Sequence, residues 1–126
     1  MLKQVIVVRK DLNMRKGKMI AQAGHAVEHT WLKEGKIVDG KLVIELDEHK
    51  TKWLQEDLHT KICVSVDSEA ALIEIHEKAK ALNLPTVMIE DYGLTEFKGQ
   101  KTLTVVSIGP APADLIDQVT KTLPLL

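Results

Sequence analysis

Apolar and polar positions alternate along this chain with two different periods, and the changes of period mark out its elements. Leu2 to Arg9 holds the nearly unbroken apolar run Val5-Ile6-Val7-Val8. Such a β-branched run predicts a strand buried on both faces. Asp11-Leu12-Asn13-Met14 reads as a loop, with Asp11 or Asn13 as candidate cap of the following helix. A helical period then runs from about Lys16 to Glu34 and stops near Gly35. At about 100° per residue, Lys18, Gln22, His25 and His29 share a narrow arc, and Ile20, Gly24, Val27 and Trp31 gather on the opposite side as the expected packing face.

Residues 35–46 are ambiguous. Asp39-Gly40 between short apolar pairs signals a hairpin, and a loose excursion fits equally. Asp47 to Leu58 is helical, with Trp53, Leu54 and Leu58 as expected anchors. Thr60 to Val66 predicts a second strand. A third helix follows, capped by Asp67 or Ser68, packing through Leu72, Ile75, Ala79 and Leu82 and stopped by Asn83. Pro85 to Glu90 is a third strand and Asp91 to Thr95 a loop. Thr102 to Ile108 is a fourth strand, ended by Gly109-Pro110. Pro112 to Leu123 is a last helix, with Leu115, Ile116 and Val119 inward. The order β-α-α-β-α-β-β-α predicts an α/β fold: one domain over 1–126, with a mixed four-stranded sheet flanked by helices on both faces. The short link between the third and fourth strands suits an antiparallel pair.

With 44% hydrophobic but only 3% aromatic residues, the core is expected to be aliphatic. The net charge of -1 argues against a globally basic polyanion binder. Its distribution changes that picture. Residues 1–18 carry six cations against Asp11 alone, a net of +5, and the other 108 residues sum to -6. Such asymmetry fits a local anion site, and a flexible basic rim would look the same. The single cysteine, Cys63, falls in a strand and is expected to be buried and inert, in keeping with a reducing compartment. No apolar run approaches the roughly 18 residues of a membrane span. A cytoplasmic, soluble protein is expected.

Several chemistries lack their residues. Gly17-Lys18 has neither the upstream glycine nor the following Ser or Thr of a phosphate-binding loop. No Gly-x-Ser-x-Gly elbow is present. His25 and His29 have the i, i+4 spacing of a metal pair but no third ligand nearby, so no metal is expected. What remains is a meeting of Lys18, Gln22 and His25 with the Asp91–Thr95 loop, provided the first and third strands run parallel as neighbours and open on one edge of the sheet. Lysine, carboxylate and imidazole there can orient water and stabilise an oxyanion without metal. The residues alone name no substrate.

The sequence from Lys3 to Met14, followed by Gly17-Lys18 and Ala21-Gln22-Ala23-Gly24-His25-Ala26, resembles the opening of the type 2 peptidyl-tRNA hydrolase family. Ile89 through Thr95 resembles that family's Asp-x-Gly-x-Thr loop. Ile108-Gly109-Pro110, Ile116-Asp117 and the final Leu-Pro-Leu-Leu resemble its ending. The resemblance implies hydrolysis of the ester between peptide and tRNA, with peptidyl-tRNA as partner, no cofactor, and a homodimer. It implies Lys18, Gln22, Asp91, Thr95 and His25 as site residues. Asp91 would orient or deprotonate water, Lys18 would hold Asp91 and the oxyanion, and Gln22 and Thr95 would bond substrate or water. His25 would be structural or face RNA, and Lys10, Arg15 and Lys16 would meet phosphates. Three departures stand out: Tyr92 beside the Asp, a 99–102 loop without the usual Gly-Ser and about one residue longer, and a 35–46 segment without counterpart. A tRNA-binding module without turnover, or an aminoacyl-tRNA deacylase, is the competing expectation.

Overall fold

The computed structural model describes residues 1–56 and 58–126. β1 (Leu2–Arg9) is followed by α1 (Lys16–Leu32), the short strands β2 (Lys36–Val38) and β3 (Lys41–Val43), and α2 (Glu48–Gln55). Then come β4 (Lys61–Val66), α3 (Glu69–Ala81), β5 (Thr86–Asp91), a single 3-10 turn at Phe97–Gly99, β6 (Thr102–Pro112) and α4 (Ala113–Thr120). Four strands form one mixed sheet in the order β4-β1-β6-β5. β1 pairs parallel with β4 and antiparallel with β6, and β5 pairs antiparallel with β6.

The apolar run of β1 is buried on both faces because helices cover both. Val5 and Val7 join Leu72, Ile75 and Ile116 on the side of α3 and α4, while Ile6 and Val8 join Met14, Ala26 and Ile89 on the side of α1. β1 and β5 are not the neighbours on which the expected meeting was conditional; β6 lies between them. Both oppose β6, so they still run the same way, and their ends at Arg9 and Asp91 open on one edge. β6 also continues past Gly109-Pro110, the expected stop, to Pro112. Gly109 makes this possible: its φ is +101°, and a Cβ there would lie 2.5 Å from the Lys3 carbonyl oxygen.

Helix α1 spans the expected residues but is turned over. Gln22, Ala26 and Thr30 form its buried stripe, while Gly24 is exposed and Ile20 is 73% exposed. Of the predicted packing face, Val27 and Trp31 are half-buried. The polar side chains go inward because partners await them on β6. Thr104 takes up Gln22, and Ser107 sits 2.9 Å from the Thr30 hydroxyl. Neither Asp11 nor Asn13 caps this helix; its N-cap is Arg15, with no side-chain hydrogen bond. Asn13 instead adopts a positive φ and donates to the Asp11 carbonyl.

Other expectations shift at the surface. Residues 35–46 contain a hairpin, its turn made by Asp39 and Gly40 at φ +50° and +71°, the pattern of a type I′ turn. Trp53 anchors α2, stacked on His59 with ring centroids 5.2 Å apart. Leu54 and Leu58 are exposed, the latter 81%, and Leu82 is also exposed. α2 is a single short helix with room for one inward side chain. Cys63 is exposed, not buried, because β4 is an edge strand that enters the core only from Val64 onward. That edge is nonetheless closed. Ser65 N–H donates to the Pro124 carbonyl at 2.9 Å and Leu126 N–H to the Cys63 carbonyl at 3.1 Å, laying the C-terminal residues along β4. Among the described residues, no helix is long and apolar enough to cross a membrane.

Candidate active site

The site forms where the start of α1 meets the end of β5. Lys18 lies one turn into the helix, and Gln22 one turn further on the same stripe, so both side chains reach the same point of the sheet edge. That point is Asp91. The Lys18 ammonium donates to Asp91 Oδ1 at 2.9 Å and to the Thr95 hydroxyl at 2.9 Å. Gln22 Nε2 donates to the same Oδ1 at 3.1 Å. The other carboxylate oxygen accepts the Gly93 N–H at 2.8 Å. Gly93 is required here: its φ is +79° and a Cβ would lie 2.5 Å from the Gln100 carbonyl oxygen.

Two further contacts fix the donors. Gln22 is 1% exposed, and its Oε1 accepts the fully buried Thr104 hydroxyl at 2.5 Å. With that oxygen occupied, the amide can only turn its N–H groups toward Asp91. The Lys18 ammonium also lies over the Phe97 ring, 5.6 Å from its centroid. Arg15 ties the helix start to the same loop through Glu96 Oε1 at 3.0 Å.

Burial pushes the Asp91 carboxyl upward, but Lys18, the Gly93 N–H and Gln22 together outweigh it and hold the group below its ordinary value. Asp91 is therefore a firmly ionised carboxylate. A depressed pKa makes it a weak proton acceptor and a good hydrogen-bond acceptor for a water or an ammonium.

Four of the five expected site residues, Lys18, Gln22, Asp91 and Thr95, thus meet in one hydrogen-bonded group. His25 does not join it. It lines, with Gln22, His29, Asp91 and Tyr92, a cavity of about 280 Å³ beside the carboxylate. Among the described residues, no group of three His, Cys, Asp or Glu side chains is placed to hold a metal ion.

The family model described as Peptidyl-tRNA hydrolase PTH2 matches residues 2–126. The chain belongs to this family. It is 42% identical to a protein named peptidyl-tRNA hydrolase from Methanocaldococcus jannaschii, over 99% of this chain and all of that one. A protein of the same name from Pyrobaculum aerophilum is 41% identical over 98% of this chain and 97% of its own. Another from Sulfurisphaera tokodaii is 44% identical over 98% of each.

Within this PTH2 chain, Thr104 is the site residue that sequence reasoning passed over. It stands in an alternating strand like any other threonine, and only its register opposite Gln22 gives it a role. The expected phosphate-facing cations lie at the same edge of the fold. Lys10 directly follows β1 and Lys16 opens α1, both exposed, and Arg15 is exposed beyond its bond to Glu96. Lys98 and Lys101, which were not singled out from the sequence, add to them in a cleft of about 510 Å³ shared with Arg9 and Leu12.

Proposed function

We propose that this chain hydrolyses the ester joining a peptide to the 3′ ribose of tRNA. The observation that carries the reading is the convergence of Lys18, Gln22 and Gly93 N–H on one ionised carboxylate at an open edge of the sheet. Water adds to the ester carbonyl carbon, the bond to the ribose oxygen breaks, one proton of the water ends on that oxygen and the other passes to solvent. The products are a peptide carboxylate and tRNA with a free 3′ hydroxyl. Asp91 orients the water rather than fully deprotonating it, in keeping with its depressed pKa. Lys18 and the Gln22 amide supply N–H donors to the ester carbonyl oxygen, where negative charge develops as water adds, and preorganised donors of this kind contribute about 10²–10³ in rate each. Thr95 positions the Lys18 ammonium. His25 forms a wall of the substrate cavity.

Lys10, Arg15 and Lys16 meet tRNA phosphates in this reading, which makes affinity fall with salt. The protein acts in the cytoplasm, with no cofactor. It works as a homodimer, for which the exposed apolar side chains Ile37, Leu42 and Leu46 of the hairpin region supply surface for a second copy to cover.

The test is release of tRNA from N-acetyl-aminoacyl-tRNA and from plain aminoacyl-tRNA, with EDTA present, for wild type and Asp91→Asn. Release from the acylated substrate alone, lost in Asp91→Asn, supports the reading. Binding without release would make the chain a tRNA-binding module. Equal release from the free-amine substrate would make it a deacylase.

A further inference from the structure

The two outer strands of the sheet are treated differently. The β4 edge is covered by residues 124–126. β5 pairs with β6 on one side only, and among the described residues its other side has no partner. Alternate residues of such a strand direct their N–H and C=O groups outward with nothing to bond. β5, Thr-Val-Met-Ile-Glu-Asp, follows Pro85 and has no lysine; its register shift and its charges, at Ile89 to Asp91, are confined to the site end, which leaves Thr86 to Ile89 as a regular edge.

This open edge runs directly into the candidate site, because its last residue is Asp91. Two cavities follow it. One, beside the carboxylate, is lined by His25 and His29 of α1 and by the consecutive residues Ile89 to Tyr92. The other, at the far end, is lined by Thr30 and Lys33 of α1, by Lys50 of α2 and by the consecutive residues Pro85 to Val87. Consecutive residues point to both faces of a sheet, so each cavity lies along the strand's margin and not on one face. The two are separate cavities that lie in line between α1 and β5, one at each end of the strand, and the line they mark is a seam about 20 Å long for six residues of strand.

We infer that this seam holds the peptide half of the substrate, as an extended chain added parallel to β5 with its esterified C-terminal residue at Asp91. The inference rests on the hydrolase reading and assigns the subsite that reading leaves open. A nascent peptide has no fixed sequence, so what recognises it must use groups common to all residues, and a bare strand edge offers just those groups. The ester at Asp91 also forces the two halves of the substrate apart. The cations that meet phosphates in that reading, Lys10, Arg15 and Lys16, lie at the end of β1 and the start of α1, and Lys98 lines the cleft with Arg9 and Leu12. The seam instead has apolar Val87 and Ile89 packed toward α1, and mixed charges at its far end, Lys33 and Lys50 with Glu34. That lining suits a neutral backbone better than a polyanion.

The experiment compares kcat/KM for tRNA carrying one N-acetylated alanine with tRNA carrying N-acetyl-tetra-alanine, and with tetra-alanine N-methylated at alternate amides in each of the two phases. Two or three backbone bonds, each worth a few-fold or more, give at least a tenfold rise from one residue to four. One N-methylated phase abolishes the rise and the other leaves it intact. Equal kcat/KM at both lengths, or equal values for both phases, overturns the inference while leaving the hydrolase reading standing. No release from any of these substrates overturns both. Hydrogen exchange of the intact protein gives a second readout. A non-hydrolysable tetra-alanyl amide of 3′-amino-3′-deoxyadenosine should slow the outward amides of β5. If those amides are already protected in the free protein, in proportion to its concentration, a second copy occupies the edge and the inference fails.

Discussion

Two polar clusters lie under the same face of α1, two turns apart. One joins Lys18, Gln22 and Thr104 to Asp91. The other joins Gln4, Thr30 and Ser107: Gln4 Nε2 donates to the Thr30 hydroxyl at 3.3 Å, and that hydroxyl sits 2.9 Å from Ser107 Oγ. Both are built from helix and strand residues meeting across the sheet. The first ends on an ionised group beside a cavity, and every contact in it orients that group. The second is neutral, with Gln4 and Ser107 fully buried and only Thr30 reaching a cavity, and it leaves Gln4 Oε1 without a hydrogen-bond partner. Burial of polar side chains is thus common to both, and what separates the chemical site from the structural one is an ionised group for the contacts to orient.

Breaking the first cluster should cost activity far more than stability. Lys18→Met removes the bonds to Asp91 and Thr95 while keeping the apolar stem, and kcat should fall by about 10²–10³ with far-UV circular dichroism unchanged. A loss under fivefold would move the site away from Lys18. Thr104→Val keeps the shape but frees the Gln22 amide. We expect about a tenfold drop in kcat with little change in KM, rescued by Thr104→Ser, together with a stability loss of about 1–2 kcal/mol by urea titration. Failure of Ser to rescue would show that the methyl group matters, not the hydroxyl.

The acid side sharpens the same contrast. Because Asp91 is held below its ordinary value, its contribution to stability is fully present above the unfolded carboxyl pKa and is lost only as pH falls through the lower folded value. Wild-type unfolding free energy should therefore drop more steeply than that of Asp91→Asn below about pH 4, with the two curves parallel at neutral pH. The smallest effect belongs to the neutral cluster. Gln4→Met deletes the orphaned oxygen with little change of volume. It should leave kcat/KM unchanged and stability within about 1 kcal/mol of wild type in either direction. A tenfold loss of activity there would join the two clusters into one.

The sequence makes the spans legible and leaves the orientations hidden. Val5 to Val8 announces a doubly buried strand because no polar residue interrupts it. α1 is equally clear in extent, but its packing face is rotated: Met19, Ala23, Ala26 and Val27 pack inward beside Gln22 and Thr30 while Ile20 is exposed, since periodicity assumes that polar side chains seek water. Gln22 and Thr30 violate that assumption by finding partners 82 and 77 positions away. Lys18, Gln22, Asp91 and Thr95 were legible through the resemblance, whereas Thr104 was not, because a strand threonine has no local mark of function. The insertion of β6 between β1 and β5 likewise depends on long-range pairing. Cys63 was misplaced for the same reason, since being in a strand does not reveal whether that strand lies at an edge.

Trp53 has an optical consequence. The chain has two tryptophans. Trp53 is buried and stacked on His59, whereas Trp31 is half-buried on α1, with the Lys50 ammonium 5.9 Å from its ring. Fluorescence of the unlabelled protein therefore carries two signals of different origin. A Trp31→Phe variant would leave emission that follows the docking of α2 alone. A Trp53→Phe variant would leave a lamp on α1, near Lys50 and the far end of the seam.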